Sequence, residues 1–207
     1  MDRAPLPFHC PLIAILRGIR PHEVEAHAEV LIEVGLDAIE VPTNSPDWAQ
    51  SVALLSRCWP EQACVGAGTV LTVAHLDALQ AAGGQLVVTP NTQPELISAA
   101  VARGLFVVAG VATPSEALAA LQAGAQALKL FPASVFGAPM VRALRAVLPE
   151  VPLFAVGGVT PDSLRDYLSA GCAGFGIGSE LYRPGQTVAQ TRDAARRFLQ
   201  AFLEASA

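Results

Sequence analysis

Lysine is almost absent from this chain of 207 residues, whose 13 basic residues comprise 12 arginines and the single Lys129. Either cation can serve on a solvated surface, but arginine cannot replace lysine where the side chain must lose a proton. The net charge of −5 and the pI near 5.3 leave no basic surface for a nucleic acid. We therefore expect no nucleic-acid partner, and Lys129 is the basic residue whose role needs explaining.

Metal-binding motifs, redox motifs and long apolar runs are missing as well. The four cysteines form no C-x-x-C motif, which favours reduced, mostly buried thiols in a cytoplasmic protein: Cys10, Cys58, Cys64 and Cys172. His22 and His27 lie about 140° apart around a helix, so we expect no metal site. No apolar run approaches the roughly 18 residues of a membrane helix. Prolines and a histidine interrupt the first apolar stretch, which we interpret as a strand rather than a signal peptide.

Hydrophobic residues make up 52% of the chain, which excludes a disordered protein. Eight short, nearly continuous apolar runs are typical of strands that are covered on both faces. These runs span residues 11–18, 36–44, 63–70, 85–91, 105–113, 127–132, 152–160 and 173–181. Helical periodicity fills the intervals, and glycines precede most of the runs. The repeat predicts a single (β/α)8 barrel domain over residues 1–207; the rival, a doubly wound open sheet, usually has fewer strands.

Three dipeptides predict where helices begin, because each places a hydroxyl at the N-cap before a proline. They are Ser45-Pro46, Thr113-Pro114 and Thr160-Pro161. Glu116 follows Thr113 at the spacing of a capping box. The polar loops between strand and helix are therefore short, as a barrel of this length requires.

The active site of such a barrel lies where the strands end, so polar residues there are candidates. They are Arg17, Glu40, Asn44, Thr69, Thr89, Asn91, Lys129 and the glycines at 157–158 and 176–178. Glu40 lies five residues after Gly35, and Lys129 lies five residues after Gly124. This shared register on strands 2 and 6 predicts that the two side chains face each other inside the barrel.

Each of the charged candidates has a structural and a chemical interpretation. Lys129 either reaches solvent or forms an ion pair, or its apolar neighbours lower its pKa so that the free amine attacks a ketone. Glu40 either pairs with a cation inside the barrel or acts as a general acid and base with a raised pKa. Arg17 is either a surface partner or a bidentate clamp for a carboxylate.

Two glycine clusters, at residues 156–160 and 174–179, follow strands 7 and 8. Backbone N–H groups at this position commonly bind phosphate in barrels of this type, although such glycines also serve as tight turns. The G-A-G-T sequence at 66–69 is not a dinucleotide motif, because Leu71 stands where the third glycine would be. Thr69 instead offers a hydroxyl to the site.

The motifs LIAILRG, EVP-x-NSP, GAGTVL, VTPN, ALKLFPA, FAVGGVTP and AGFGIGSELY occur in order along almost the whole chain. In this combination the sequence resembles the family of 2-keto-3-deoxy-6-phosphogluconate and 4-hydroxy-2-oxoglutarate aldolases. The resemblance implies a (β/α)8 barrel assembled as a homotrimer and a class I aldol cleavage without metal or cofactor. It assigns the Schiff base to Lys129, acid–base catalysis to Glu40, and the pyruvate portion to Arg17 and Thr69. The phosphate loops it implies are Gly157, Gly158, Gly178 and Ser179.

Two departures bear on the substrate. Asn44 stands where gluconate members carry a second arginine, and Val156 stands where they carry a hydroxyl near the sugar C4. Both resemble the galactonate branch, which implies cleavage of 2-dehydro-3-deoxy-6-phosphogalactonate to pyruvate and glyceraldehyde 3-phosphate. The same chemistry on the gluconate epimer or on 4-hydroxy-2-oxoglutarate is the alternative. A phosphate-binding barrel isomerase or synthase, or a non-catalytic trimeric binding protein, is a remoter one.

Overall fold

Each apolar run predicted as a strand contains one in the computed structural model, which describes residues 5–207. The strands are β1 Leu12–Ile15, β2 Ala38–Pro42, β3 Cys64–Gly68, β4 Leu86–Val88, β5 Phe106–Val111, β6 Ala127–Leu130, β7 Leu153–Val156 and β8 Gly174–Ile177. The helices that alternate with them are α1 Pro21–Val34, α2 Trp48–Cys58, α3 Val73–Ala81, α4 Pro94–Ala102, α5 Pro114–Gln122, α6 Ala133–Arg145, α7 Leu164–Ser169 and α8 Val188–Ser206. The first four residues of the domain predicted over 1–207 lie outside the described residues.

All eight strands are parallel, and β1 pairs with β8 as well as with β2, so the sheet closes on itself. The prediction of a (β/α)8 barrel is therefore confirmed, and the open doubly wound sheet is excluded. Every residue of every strand is buried. This explains the continuous apolar runs, because one face of each strand packs against helices and the other fills the barrel.

The interior of the barrel is closed at the N-terminal ends of the strands and open at their C-terminal ends. Phe8 packs edge-on against Phe106 and Phe154, with ring centroids 6.3 and 6.2 Å apart. Ala38 of β2 and Ala127 of β6 belong to the same interior cluster. Side chains two residues apart on a strand share a face, so the next inward positions are Glu40 and Lys129. The fold thus directs one carboxyl and one amine into the barrel near its mouth.

Two of the three predicted helix starts are confirmed. Thr113 caps α5 in a capping box with Glu116, and Pro161 begins a 3-10 turn, Pro161–Ser163, that leads into α7. The prediction at Ser45-Pro46 is wrong, because α2 begins only at Trp48. The Ser45 hydroxyl instead accepts a hydrogen bond of 2.8 Å from the Gly18 N–H. It therefore joins the loops after β2 and β1 at the barrel mouth rather than capping a helix.

The cysteines are only partly as expected. All four thiols are unpaired; Cys64 and Cys172 are buried, Cys10 is half-buried and Cys58 is exposed. Cys58 is the last residue of α2, and its thiol lies 3.5 Å from a carboxylate oxygen of Glu25 on α1.

Among the helices of residues 5–207, none combines the length and the apolar character needed to cross a bilayer.

Candidate active site

A cavity of about 540 Å³ opens at the C-terminal ends of the strands. The nine residues that the sequence put forward for chemistry and substrate binding all line it: Arg17, Glu40, Thr69, Lys129, Val156, Gly157, Gly158, Gly178 and Ser179. They come from the ends of β1, β2, β3, β6, β7 and β8 and from the loops that follow. The closed barrel brings these ends together, although the residues span most of the chain.

Lys129 lies at the base of the cavity on β6 and is 6% exposed. Burial lowers the pKa of its amine to about 8; the Glu40 carboxylate opposes this shift, and the nearby Arg17 charge adds to it. The Nζ atom lies 4.9 Å from the centroid of the Phe131 ring. An amine in this setting is unprotonated far more often near neutral pH than an ordinary lysine, which makes it a usable nucleophile.

Glu40 faces the same cavity from β2 and is 2% exposed. Burial raises the pKa of its carboxyl to about 7, against smaller opposing contributions from Lys129, Arg17 and the Gly68 backbone. Within residues 5–207 its Oε2 atom has no hydrogen-bond partner. A methyl group at Gly68 would overlap this carboxylate, so glycine at that position makes room for it. With a pKa close to neutrality, Glu40 can both take and give a proton.

Arg17 is held in the cavity by the loops after β2 and β3. Its Nη1 donates to Asn44 Oδ1 at 2.6 Å, and its Nη1 and Nη2 lie 3.5 and 3.4 Å from the Thr69 hydroxyl. Thr69 adopts the left-handed backbone conformation with φ of 55°, and the Thr43 hydroxyl donates to its carbonyl at 2.6 Å. A guanidinium and a hydroxyl fixed side by side can bind a carboxylate.

The glycine loops after β7 and β8 form another part of the cavity wall. Gly157 and Gly158 have φ values of 94° and 72°. Residues with a side chain rarely adopt this left-handed conformation, so the turn after β7 requires glycine at both positions. The loop is attached to α6, because the Ser134 N–H donates to the Gly157 carbonyl at 3.0 Å. In the described chain, the N–H groups of Gly157, Gly158, Gly178 and Ser179 donate to no other residue. Four free N–H groups in one part of a cavity wall can bind an anion.

Four of the wider set of candidates do not line the cavity: Asn44, Thr89, Asn91 and Gly176. Gly176 lies within β8. Thr89 is 1% exposed; its hydroxyl donates to the Asn91 carbonyl at 2.7 Å and accepts from the Gly110 N–H at 3.0 Å. These bonds stabilise the turn after β4. Asn44 contacts Arg17 instead of facing the cavity. Any effect of these residues on the chemistry in the cavity therefore passes through the residues that they contact.

Sequence reasoning also missed residues that do line the cavity. Besides Gly178 and Ser179, the segment after β8 contributes four residues to the lining: Glu180, Tyr182, Arg183 and Pro184. A signal for them existed, because this polar segment directly follows the last strand. The apolar run that predicts β8 ends at residue 181, and Arg183 lies beyond it.

The fold and the site together define a class of protein: a (β/α)8 barrel whose mouth holds a buried amine and a buried carboxyl in one cavity. The family model "KDPG and KHG aldolase" matches residues 8–196. The chain belongs to the KDPG and KHG aldolase family.

Individual relatives place the chain more finely within this family. The 2-dehydro-3-deoxy-6-phosphogalactonate aldolase of Escherichia coli (strain K12) is 52% identical over 196 residues, which are 94% of this chain and 96% of the relative. A solved structure described as "Native KDPGal structure" is 50% identical, covers 100% of this chain and 99% of its own, and has a TM-score of 0.95. The 2-dehydro-3-deoxy-phosphogluconate aldolase of Zymomonas mobilis is 33% identical over 142 residues, 68% of this chain and 67% of the relative.

Proposed function

We propose that the protein cleaves 2-dehydro-3-deoxy-6-phospho-D-galactonate to pyruvate and D-glyceraldehyde 3-phosphate, a step of galactonate degradation. The observation that carries this proposal is the buried Lys129 with a lowered pKa, in one cavity with Glu40 and with free backbone N–H groups. The amine fits covalent catalysis on the ketone, the carboxyl fits proton transfer, and the N–H groups fit a phosphate.

Formation of a Schiff base begins with attack of the Lys129 amine on the C2 ketone. A pKa of about 8 leaves roughly one amine in eleven unprotonated at pH 7, against roughly one in three thousand at the ordinary value of 10.5. Glu40 protonates the hydroxyl of the carbinolamine so that water leaves. The product is a protonated imine, which is an electron sink attached to the enzyme.

Cleavage then follows from the position of that sink. Glu40, now ionised, removes the proton of the C4 hydroxyl, and the electrons of the C3–C4 bond pass into the imine to form an enamine. The C4 fragment leaves as glyceraldehyde 3-phosphate. Protonation of the enamine at C3 and hydrolysis of the imine release pyruvate and regenerate the amine of Lys129. The imine stabilises the developing carbanion, so these steps need no metal ion.

The two ends of the substrate match two parts of the cavity wall. Arg17 and Thr69 contact each other in the same cavity as the amine and would hold the carboxylate next to the C2 ketone. Gly157, Gly158, Gly178 and Ser179 would hold the phosphate through their N–H groups. A substrate held at both ends presents its C2 to Lys129 without further rearrangement.

The galactonate branch is favoured over the gluconate branch by one residue and by the degree of similarity. Val156 ends β7, lines the cavity and is 4% exposed, so it offers an apolar contact near C4 in place of a hydroxyl. The identity of 52% with the phosphogalactonate aldolase, against 33% with the phosphogluconate aldolase, supports the same choice. Relative cleavage rates on the two phosphorylated epimers and on 4-hydroxy-2-oxoglutarate test it.

Trapping with borohydride tests the chemistry directly. The protein is incubated with pyruvate, reduced and digested, and we expect the mass increment of the reduced imine on the peptide containing Lys129. Lys129→Ala should give no adduct and no turnover, and Glu40→Gln should retain more activity than Lys129→Ala. Absence of an adduct on the wild-type protein would refute the aldolase mechanism and would favour a phosphate-binding isomerase or synthase instead.

The remaining expectations concern assembly and location. We propose that residues 1–207 act as one aldolase domain in a cytoplasmic homotrimer, as the family resemblance implies. The unpaired thiols, two of them buried, are consistent with a reducing compartment. Light scattering coupled to size-exclusion chromatography should give three times the chain mass of 21.5 kDa; a monomer or dimer would contradict the trimer.

A further inference from the structure

Arg183 lines the cavity from the segment after β8, beside the free N–H groups of Gly178 and Ser179. Its Nε donates to the Ser179 carbonyl at 2.7 Å, and its Nη2 donates to Glu180 Oε1 at 3.1 Å. Among the described residues its Nη1 has no partner. The guanidinium is thus bonded at two of its nitrogens, Nε and Nη2, and Nη1 remains available to donate to a ligand.

The charges along the cavity give this arginine a distinct position. Of the three cationic side chains in the lining, Lys129 lies at the base, Arg17 bonds to the loops after β2 and β3, and Arg183 belongs to the loop after β8. Glu180 in the same loop also lines the cavity, and its negative charge would repel a phosphate dianion bound there. Arg183 offsets that charge, so the loop after β8 presents a neutral pair instead of an unopposed carboxylate.

The ion pair between Arg183 and Glu180 is well solvated, with side chains 65% and 43% exposed. Exposed pairs of this kind contribute little to stability, so exchanging the carboxylate for a phosphate costs little. The bond from Nε to the Ser179 carbonyl can persist during the exchange, because it involves a different nitrogen. A guanidinium presents paired donors that fit phosphate oxygens, which a backbone amide cannot do alone.

We propose that Arg183 is a specificity-determining residue that selects phosphorylated substrates, by donating from its Nη atoms to the phosphate held at the β7 and β8 loops. The inference rests on the proposed function, from which it takes the position of the phosphate. It adds a charged side chain to a subsite otherwise formed by neutral N–H groups. A purely structural arginine would only support the loop through the Ser179 carbonyl.

Steady-state kinetics of Arg183→Met separates these two roles. With the phosphorylated substrate we expect kcat/KM to fall about 10- to 100-fold, mainly through KM, as expected for loss of a charge-assisted hydrogen bond. With the unphosphorylated 2-dehydro-3-deoxygalactonate we expect a change of less than about twofold, since no phosphate contact is lost. Arg183→Lys should restore part of the loss, because it keeps the charge but not the fork of donors.

Two further variants sharpen the test. Glu180→Gln should increase the preference for the phosphorylated over the unphosphorylated substrate. It should strengthen binding of the phosphorylated substrate, because a charge that repels the phosphate is removed. Arg165→Met is the matched control: Arg165 lies on α7, and its guanidinium donates to the Glu204 carbonyl on α8, outside the cavity. It should leave both substrates unaffected.

If kcat/KM of Arg183→Met falls equally on both substrates, Arg183 only stabilises the loop. If kcat/KM changes on neither substrate, Arg183 does not contact the phosphate. Each result overturns the inference. Calorimetric titration of wild type and Arg183→Met with glycerol 3-phosphate needs no turnover. It should show the same loss of affinity, and equal affinities would again overturn the inference. Failure of the proposed function would appear separately, as a wild-type protein that forms no pyruvate adduct.

Discussion

The charge of Glu40 can be tested by what it does to the only lysine of the chain. Burial lowers the pKa of the Lys129 amine to about 8, and the Glu40 carboxylate limits this effect by favouring the protonated amine. Glu40→Gln keeps the shape of the side chain and removes its charge. The remaining influences, burial and Arg17, both lower the pKa of Lys129. We therefore expect the pKa of Lys129 to fall below about 8 in this variant.

The size of the fall follows from the separation of the two groups. At 4 Å two unit charges interact by about 4 kcal/mol at an effective dielectric constant near 20. Separations of about 5.5 to 11 Å give about 3 to 1.5 kcal/mol, which corresponds to about 2 to 1 pH units. Glu40 is about nine-tenths ionised at pH 8, so nearly the whole of this effect is present at the midpoint of Lys129.

Carbamylation by cyanate measures this pKa, because cyanate is small and reacts with unprotonated amines. The rate is followed by mass spectrometry of the peptide that contains Lys129, across pH 5 to 10, with the α-amino group of the chain as internal reference. Asp77→Asn serves as control, since Asp77 on α3 is exposed and pairs with Arg103, the residue that follows α4, away from the cavity. An unchanged or raised midpoint in Glu40→Gln would refute the electrostatic coupling of the two groups.

Three further changes have defined outcomes. Gly68→Ala places a methyl group where the Glu40 carboxylate lies, so kcat should fall at least about 100-fold while the circular dichroism spectrum remains that of the barrel. Near-normal turnover would contradict the position of the Glu40 carboxylate beside Gly68. Replacing the buried pair together, with Glu40→Gln and Lys129→Met, should raise the free energy of unfolding at pH 7 by about 1 to 4 kcal/mol in urea denaturation, and a less stable double variant would show that the pair stabilises the fold. Val156→Thr should shift the ratio of cleavage rates towards the gluconate epimer by about 10-fold, and an unchanged ratio would remove Val156 from the recognition of C4.

The barrel could be predicted from sequence because its signals are local. Continuous apolar runs, capping residues and the glycines that precede strands each act over a few residues, and eight such units leave little choice of topology. The start of α2 could not be predicted in this way. Ser45 is occupied by the Gly18 N–H of another loop, and a partner from a distant part of the chain leaves no mark in the neighbouring sequence.

The same distinction between local signals and distant partners decides which residues of the site could be predicted. Glu40 and Lys129 could be predicted because their strand register directs both inwards, and strands 2 and 6 share the parity that sets a layer of the barrel. The role of Thr89 could not, since its bonds to Asn91 and Gly110 stabilise a turn that only the folded sheet creates. Arg183 lies in an irregular loop without periodicity, so its position at the cavity depends on how that loop folds back over the mouth.

The pH dependence of the buried pair explains why function and stability oppose each other here. The pKa of Glu40 is raised to about 7, so between pH 4.5 and 7 the native chain binds more protons than the unfolded chain, and its stability falls as pH rises. The pKa of Lys129 is lowered to about 8, so stability recovers only as pH rises from about 8 towards 10.5. The pair is therefore most destabilising between about pH 7 and 8, where Glu40 exchanges protons and Lys129 becomes unprotonated. The gain from the double variant should be largest in that interval and should shrink on either side of it, because the condition that makes the pair reactive also makes its burial unfavourable.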